Sequence, residues 1–134
     1  MAKVLAADVP EMDDRIRECL PDHEVVFVRT LSEAVAALRR DRYDMVVIGL
    51  HFDESRMFEL LTHVRTLAAY EDAPVVCVQG LDMPLPESVM RTLDGAVKAL
   101  GGTAFVDLRD EHDFRRHCDF LDRAASAGGS LRPS

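Results

Sequence analysis

The chain has 134 residues, 48% of them hydrophobic, and this length and composition predict one compact domain with its own core. Its 24 acidic residues outnumber its 16 basic residues and give a formal charge of −8. Because binding to nucleic acids depends on Lys and Arg neutralising phosphates, this charge argues against a nucleic-acid partner. No apolar run approaches the roughly 20 residues that span a bilayer, and no signal-peptide pattern is present, so we expect a cytoplasmic protein without a membrane partner.

Short apolar runs alternate with segments of helical periodicity along the whole sequence. The runs predict strands over residues 3–7, 23–29, 44–50, 75–78 and 103–107. Between the second and third strands, Thr30 and Glu33 form a capping box that opens a helix through Arg40. A helix over residues 57–69 follows the third strand.

The remaining helices are predicted from apolar residues at helical spacing. These residues are Met12, Ile16 and Leu20 in the first helix, Val89, Leu93, Val97 and Leu100 in the fourth, and Phe114, Cys118, Leu121 and Ala125 in the last. We assign residues 1–125 to the domain and residues 126–134, which contain glycines and a proline, to a flexible C-terminal tail.

The three cysteines are far apart in the sequence, and each lies within an apolar pattern. We interpret Cys19, Cys77 and Cys118 as reduced core residues rather than as a disulfide or a metal site.

Strands that alternate with helices predict an α/β fold, a doubly wound five-stranded parallel sheet of flavodoxin-like order 2-1-3-4-5 with helices on both faces. In such sheets the ligand site lies outside the carboxyl ends of the strands, where the first and third strands diverge. The residues to examine there are Asp8, Gly49, Gln79 and Leu108.

The segment from Asp44 to Phe52, followed by Phe58-Glu59-Leu60-Leu61, resembles the third strand and third helix of bacterial response-regulator receiver domains (CheY-like). The resemblance spans about residues 3 to 125 and depends on the order of the elements, not on a catalytic motif. The segment from Gly80 to Glu87 is several residues longer than the family usually has. In receivers, an aspartate that ends strand three accepts a phosphoryl group. Two acids after strand one hold Mg²⁺, and a Ser or Thr and a Lys complete the site.

Four of these five groups are missing from the matching positions. Asp8 keeps one of the two acids, and Ala7 replaces the other. Gly49 stands at the acceptor position, so the nucleophile is absent. Gln79 occupies the hydroxyl position and Leu108 the lysine position. The resemblance therefore implies a degenerate phosphorylation pocket with no catalytic residue.

Displaced residues offer alternatives at this site. Asp53 or Glu54 could turn toward Asp8 to bind a divalent cation, although such acids more often stabilise a helix start. Asp8 itself could cap the first helix. Phe105 matches the aromatic position of the receiver switch, and its apolar setting predicts that it packs inward.

From the resemblance we expect a phosphorylation-independent pseudo-receiver, a non-enzymatic interaction module of two-component or phosphorelay signalling, without cofactors. By family analogy it contacts a protein partner, or a second copy in a homodimer, through helix four, strand five and helix five. Two alternatives stay open. One is an active phosphoacceptor that uses Asp53. The other is a flavodoxin-like domain that binds a flavin or corrinoid near Gly49 and Gly80, although it lacks the corrinoid-ligation motif and a Ser/Thr-rich phosphate loop.

Overall fold

The computed structural model describes residues 1–81, 85–109 and 113–130, and its centre is a five-stranded parallel sheet. The strands are β1 (Lys3–Ala7), β2 (Glu24–Val28), β3 (Met45–Gly49), β4 (Val75–Gln79) and β5 (Ala104–Asp107). They are arranged in the order β2-β1-β3-β4-β5, and all neighbouring pairs are parallel. The predicted topology is therefore confirmed.

Helices cover both faces of the sheet. They are α1 (Asp13–Cys19), α2 (Leu31–Arg40), α3 (Met57–Thr66), α4 (Glu87–Ala99) and α5 (Phe114–Ser130). One apolar cluster joins α2, α3 and α4 to one face, and a second joins α1 and α5 to the other. Because every residue of β3 and β4 is buried, these strands are apolar runs without alternation, as central parallel strands require.

Local signals in the sequence fix the ends of several elements. The Oγ1 atom of Thr30 accepts a hydrogen bond from the Glu33 N–H at 3.1 Å, and the Glu33 carboxylate accepts one from the Thr30 N–H at 3.0 Å. This confirms the predicted capping box at the start of α2. The long segment between β4 and α4 includes residues 82–84, which lie outside the described residues.

Helix α3 is shorter than the sequence predicts, because it ends at Thr66 and a short 3₁₀ turn, Ala68–Tyr70, follows. The turn buries Tyr70, whose hydroxyl accepts a hydrogen bond from the Tyr43 N–H at 3.1 Å and donates one to the Asp41 carbonyl at 3.2 Å. Satisfying these buried backbone groups compensates for the lost helical turn.

Helix α5 extends through Ser130, five residues into the segment that we assigned to a flexible tail from residue 126. Gly128 is buried against the backbone carbonyl of Asp44, where a Cβ atom would overlap the carbonyl oxygen. The glycine thus lets the helix pass close to the start of β3. The rest of the predicted tail, residues 131–134, lies outside the described residues.

The prediction of three reduced cysteines is wrong for two of them. Cys19 in α1 and Cys118 in α5 form a disulfide, with their Cα atoms 4.3 Å apart. The parallel topology places these helices side by side, although 99 residues separate the two cysteines. Cys77 is free and buried, and burial raises the pKa of its thiol to about 12.

No helix in the described parts of the chain combines the length and apolar character needed to cross a bilayer.

The close approach of α5 to the sheet can be tested with two glycine substitutions. We expect Gly128→Ala to lower the free energy of unfolding by about 2 kcal/mol, because the new methyl group overlaps the Asp44 carbonyl. Gly95→Ala in α4 is the matched control. No atom lies within 4 Å of its added Cβ, so it should stabilise the protein by up to about 1 kcal/mol. Urea unfolding measures the free energy of unfolding of both variants. Equal stabilisation by the two substitutions would contradict the close contact between Gly128 and the Asp44 carbonyl.

Candidate functional site

The fold brings all five predicted site positions to the carboxyl edge of the sheet. They are Ala7, Asp8, Gly49, Gln79 and Leu108, at or just beyond the ends of β1, β3, β4 and β5, and all five are buried. The predicted residues therefore lie together, but none of them is exposed. A working phosphoacceptor, by contrast, has to be accessible to its phosphodonor.

The carboxylate of Asp8 lies directly over Gly49. A Cβ atom built at Gly49 would overlap all three terminal atoms of the Asp8 side chain, and Asp8 is only 2% exposed. The space that an acceptor side chain at position 49 would need is thus filled from β1. The φ angle of Gly49 is not in the left-handed region, so the glycine is favoured here by the position of the Asp8 side chain and not by the backbone conformation.

Burial changes the titration of Asp8. The Val9 N–H donates a hydrogen bond to Oδ1 at 2.8 Å, and Oδ2 has no hydrogen-bond partner among the described residues. Burial raises the pKa of Asp8 from 3.8 to about 7, against the opposing effects of the Val9 hydrogen bond and the Arg29 charge. Asp13 and Glu11 raise it further. Asp8 therefore changes charge near neutral pH.

The cation that lies nearest to Asp8 is already paired with another carboxylate. The Arg29 guanidinium donates hydrogen bonds to both carboxylate oxygens of Asp13, one at 2.9 Å, and a further one to the backbone carbonyl of Asp8 at 3.0 Å. Hydrogen bonding to Asp13 raises the pKa of Arg29, so it stays charged. The sequence did not reveal this pair, since the two residues are 16 positions apart on different elements.

Asp8 is not a side-chain cap of the first helix, which was the alternative structural role. The helical region begins with a 3₁₀ turn, Pro10–Met12, and continues as α1, and neither start has a side-chain capping hydrogen bond. The Asp8 carboxylate instead accepts its hydrogen bond from the next residue, Val9.

Gln79 is directed toward β5, away from β1. Its Nε2 atom donates a hydrogen bond to Oδ1 of Asp107 at 2.7 Å, and the same oxygen accepts the Arg109 N–H at 2.8 Å. The register pairs Gln79 with Asp107 across the two strands. An amide bound in this way replaces the hydroxyl that a phosphoryl group would draw inward.

Apolar side chains cover the rest of the edge. Leu108 is 1% exposed and belongs to the same apolar cluster as Met12, whose terminal atoms occupy the space beside Gly80. The Leu108 N–H donates to the Gln79 carbonyl at 2.8 Å, and its own carbonyl accepts a hydrogen bond from Arg15 at 3.0 Å. The lysine position therefore supplies packing and no positive charge.

Asp53 is bound elsewhere and does not join Asp8. Its Oδ2 atom accepts a hydrogen bond from the Leu31 N–H at 2.8 Å, at the start of α2, and lies 3.8 Å from Nε of Arg56. Asp53, Glu54 and Ser55 have φ angles of 42°, 57° and 67°, a left-handed turn that is costly for residues other than glycine. Among the described residues, no group of three or more His, Cys, Asp or Glu side chains is arranged to hold a metal ion.

Phe105 packs inward, as its apolar setting predicts. It is buried in the cluster shared by α2, α3 and α4, and its N–H donates a hydrogen bond to Oδ1 of Asp94 at 3.0 Å. This hydrogen bond attaches α4 to β5, and Asp94 also forms an ion pair with Lys98 of the same helix at 2.9 Å.

The sheet order β2-β1-β3-β4-β5 is that of a doubly wound, flavodoxin-like fold. No protein-family model and no curated protein match the chain. Solved structures do. A phosphorylated cyanobacterial phytochrome response regulator, RcpA, is 19% identical, with 94% of each chain covered and a TM-score of 0.73.

Two further solved structures have the same fold. The chemotaxis response regulator CheY4 of Vibrio cholerae is 24% identical, with 92% of this chain and 98% of that chain covered and a TM-score of 0.70. A response regulator from Hahella chejuensis is 19% identical, with coverage of 100% and 99% and a TM-score of 0.71. At these identities the likeness establishes the fold.

The buried carboxylate of Asp8 makes a testable contribution to the pH dependence of stability. Because its pKa is about 7 in the folded protein, against 3.8 for an ordinary aspartate, the contribution is fully present below pH 3.8 and is lost as the pH rises through 7. The loss should amount to about 4 kcal/mol. We expect Asp8→Asn to be more stable than the wild type at pH 8 and equally stable near pH 4.

Urea unfolding of both proteins between pH 4 and pH 8 measures this difference. Asp22→Asn, at an exposed carboxylate in a turn, is the matched control and should follow the wild type throughout. A constant difference between Asp8→Asn and the wild type across this range would contradict the burial of an ionisable Asp8.

A double-mutant cycle tests the overlap between positions 8 and 49. Gly49→Ala alone should cost about 2 kcal/mol, because its methyl group meets the Asp8 carboxylate. In an Asp8→Ala background, where that carboxylate is absent, the same substitution should cost at least about 1 kcal/mol less. Denaturant unfolding of the four proteins gives the coupling energy. If the effects of the two substitutions on the free energy of unfolding add within about 0.5 kcal/mol, the Asp8 side chain does not occupy the space of a side chain at position 49.

Proposed function

We propose that this chain is a phosphorylation-independent pseudo-receiver that acts as a protein-interaction module in bacterial two-component signalling. The observation that carries the proposal is the Asp8 carboxylate, which fills the space of an acceptor at position 49. The fold that the chain shares with response regulators supports a role in signalling.

The chemistry of the site favours a binding role over phosphoryl transfer. A transferring phosphoryl group is strongly anionic, and it needs cations and oriented donors to stabilise it. Leu108 offers no charge, and Arg29 is already paired with Asp13. Mg²⁺ prefers several oxygen ligands in octahedral geometry, and Asp8 is a single carboxylate whose pKa burial raises. We therefore propose neither catalytic activity nor a resident cofactor.

The surface formed by α4, β5 and α5 supports the choice of partner face. Among the residues of α4 only Val97 is fully buried, while Val89 and the following Leu100 are 39% and 43% exposed. β5 lies at the edge of the sheet, and its Val106 is half-buried. Apolar side chains that remain exposed next to an edge strand suit contact with another protein, or with a second copy of the chain.

We propose that this module is cytoplasmic and has no membrane partner, and its net charge of −8 argues against a nucleic-acid partner. The competing function is phosphorylation at a displaced Asp53. The hydrogen bond from Leu31 to Asp53 and the left-handed turn hold that carboxylate at the start of α2, so the observations favour the interaction module.

A capture experiment tests both parts of the proposal. The immobilised wild type is incubated with extract of the source organism, with and without acetyl phosphate and Mg²⁺, and its intact mass is measured. We expect no added phosphoryl group and the same partner recovered in both conditions. Val89→Asp/Leu100→Asp should lose the partner, since both side chains are exposed on the proposed face.

Ala36→Asp, at an exposed position on α2, is the control and should retain the partner. Phosphate found on Asp53 or Asp8 would overturn phosphorylation independence. Recovery that survives the α4 substitutions would place the contact on another surface.

A further inference from the structure

Helix α5 is attached to α1 by a covalent bond inside the core. The disulfide joins Cys19, the last residue of α1, to Cys118 in the second turn of α5, and both side chains are buried. Ile16 and Leu121 belong to the same apolar cluster. The rest of this helix–helix contact is therefore ordinary hydrophobic packing.

A second, reversible contact lies one helical turn further along α5. The Nε2 atom of His23 is 2.6 Å from Oδ1 of Asp122, and its Nδ1 atom accepts a hydrogen bond from the Ala2 N–H at 2.9 Å. The His23 side chain is 4% exposed. This contact ties α5 to the starts of β1 and β2, and it does not depend on the oxidation state of the cysteines.

We propose that Cys19 and Cys118 form a thiol–disulfide switch that controls how firmly α5 is held against α1. The oxidant is a small disulfide of the glutathione class. One protein thiolate attacks it and expels a glutathione thiolate, and the second protein thiolate attacks the mixed disulfide and expels the other. Two protein thiols are oxidised and one glutathione disulfide is reduced to two thiols. An excess of small thiols reverses both steps.

Packing explains why this bond acts as a switch. Bonded sulfurs lie about 2.05 Å apart, whereas heavy atoms that are not bonded settle at roughly 3.5–4.0 Å. Reduction therefore separates the two sulfur atoms by more than about 1 Å within a close-packed core, which disturbs the packing between the two helices. The bond also closes a loop with a sequence separation of 99, and long loops gain the most from closure.

The third cysteine does not compete for either partner. Cys77 belongs to the apolar cluster on the α2, α3 and α4 face, while Cys19 and Cys118 lie on the opposite face of the sheet. Exchange among the three thiols is blocked by the sheet, so the pair has two defined states. The switch depends only on the disulfide and the packing around it. An effect of the switch on partner binding would depend on the proposed function, because α5 forms part of the proposed contact face.

Wild-type protein equilibrated in oxidised or reduced glutathione tests the switch. Alkylation after denaturation should find one thiol in the oxidised form, since two of the three cysteines are bonded, and three in the reduced form. We expect the reduced form to melt about 10 °C lower. Its amide hydrogens in α5 should exchange faster, while those in β3 and β4 should not change.

Two variants serve as matched controls. Cys77→Ala should keep both states and the same shift in melting temperature, because this cysteine lies on the other face. Cys19→Ala/Cys118→Ala should melt at one temperature in both buffers. Three free thiols in the oxidising buffer would overturn the proposal, as would equal melting and equal α5 exchange in the two wild-type forms. Neither result depends on a phosphodonor or a partner, so failure here is distinguishable from failure of the proposed function.

Discussion

The burial of the Asp8 carboxylate against Gly49 is the constraint on which the carboxyl edge of the sheet depends. It leaves no room for a side chain at position 49 unless Asp8 moves, and Arg29, whose charge acts on Asp8, is itself hydrogen-bonded to Asp13. Burying a charged carboxylate is costly, and the raised pKa of Asp8 reduces this cost because part of the protein molecules carry a neutral Asp8 near pH 7. Desolvation by burial is the largest cause of that shift.

The middle of the sheet is held together by residues that are not part of the candidate site. Val46, Val47 and Ile48 of β3 point alternately into the two apolar clusters and hold the strand whatever follows at its end. The candidate site positions lie at the carboxyl ends of the strands, next to these core residues, and Ala7 and Leu108 are themselves part of the two apolar clusters. The fold alone therefore does not determine the chemistry at this edge.

Local patterns predicted the elements, and long-range geometry decided the details of the site. The apolar runs and the Thr30 capping box are determined by neighbours in sequence, whereas the prediction that Gly49 stands at an acceptor position depends on the resemblance alone. The disulfide between Cys19 and Cys118 depends on two helices that meet only after the sheet has formed. Gly128 resembles a helix breaker in sequence, but its small size serves the close contact of α5 with Asp44.

Packing as well as the missing side chain keeps a carboxylate away from position 49. An aspartate restored at position 49 would enter the space that Asp8 now fills, so Asp8 would first have to rotate out of its buried position. Rotation would break the Val9 hydrogen bond and uncover the edge that Leu108 and Met12 close. Because groups in one catalytic unit are strongly non-additive, a single restored residue cannot act until the others have also changed. The side chains at this edge therefore depend on one another, since Asp8 fills the space beside Gly49 and Gln79 is bound to Asp107.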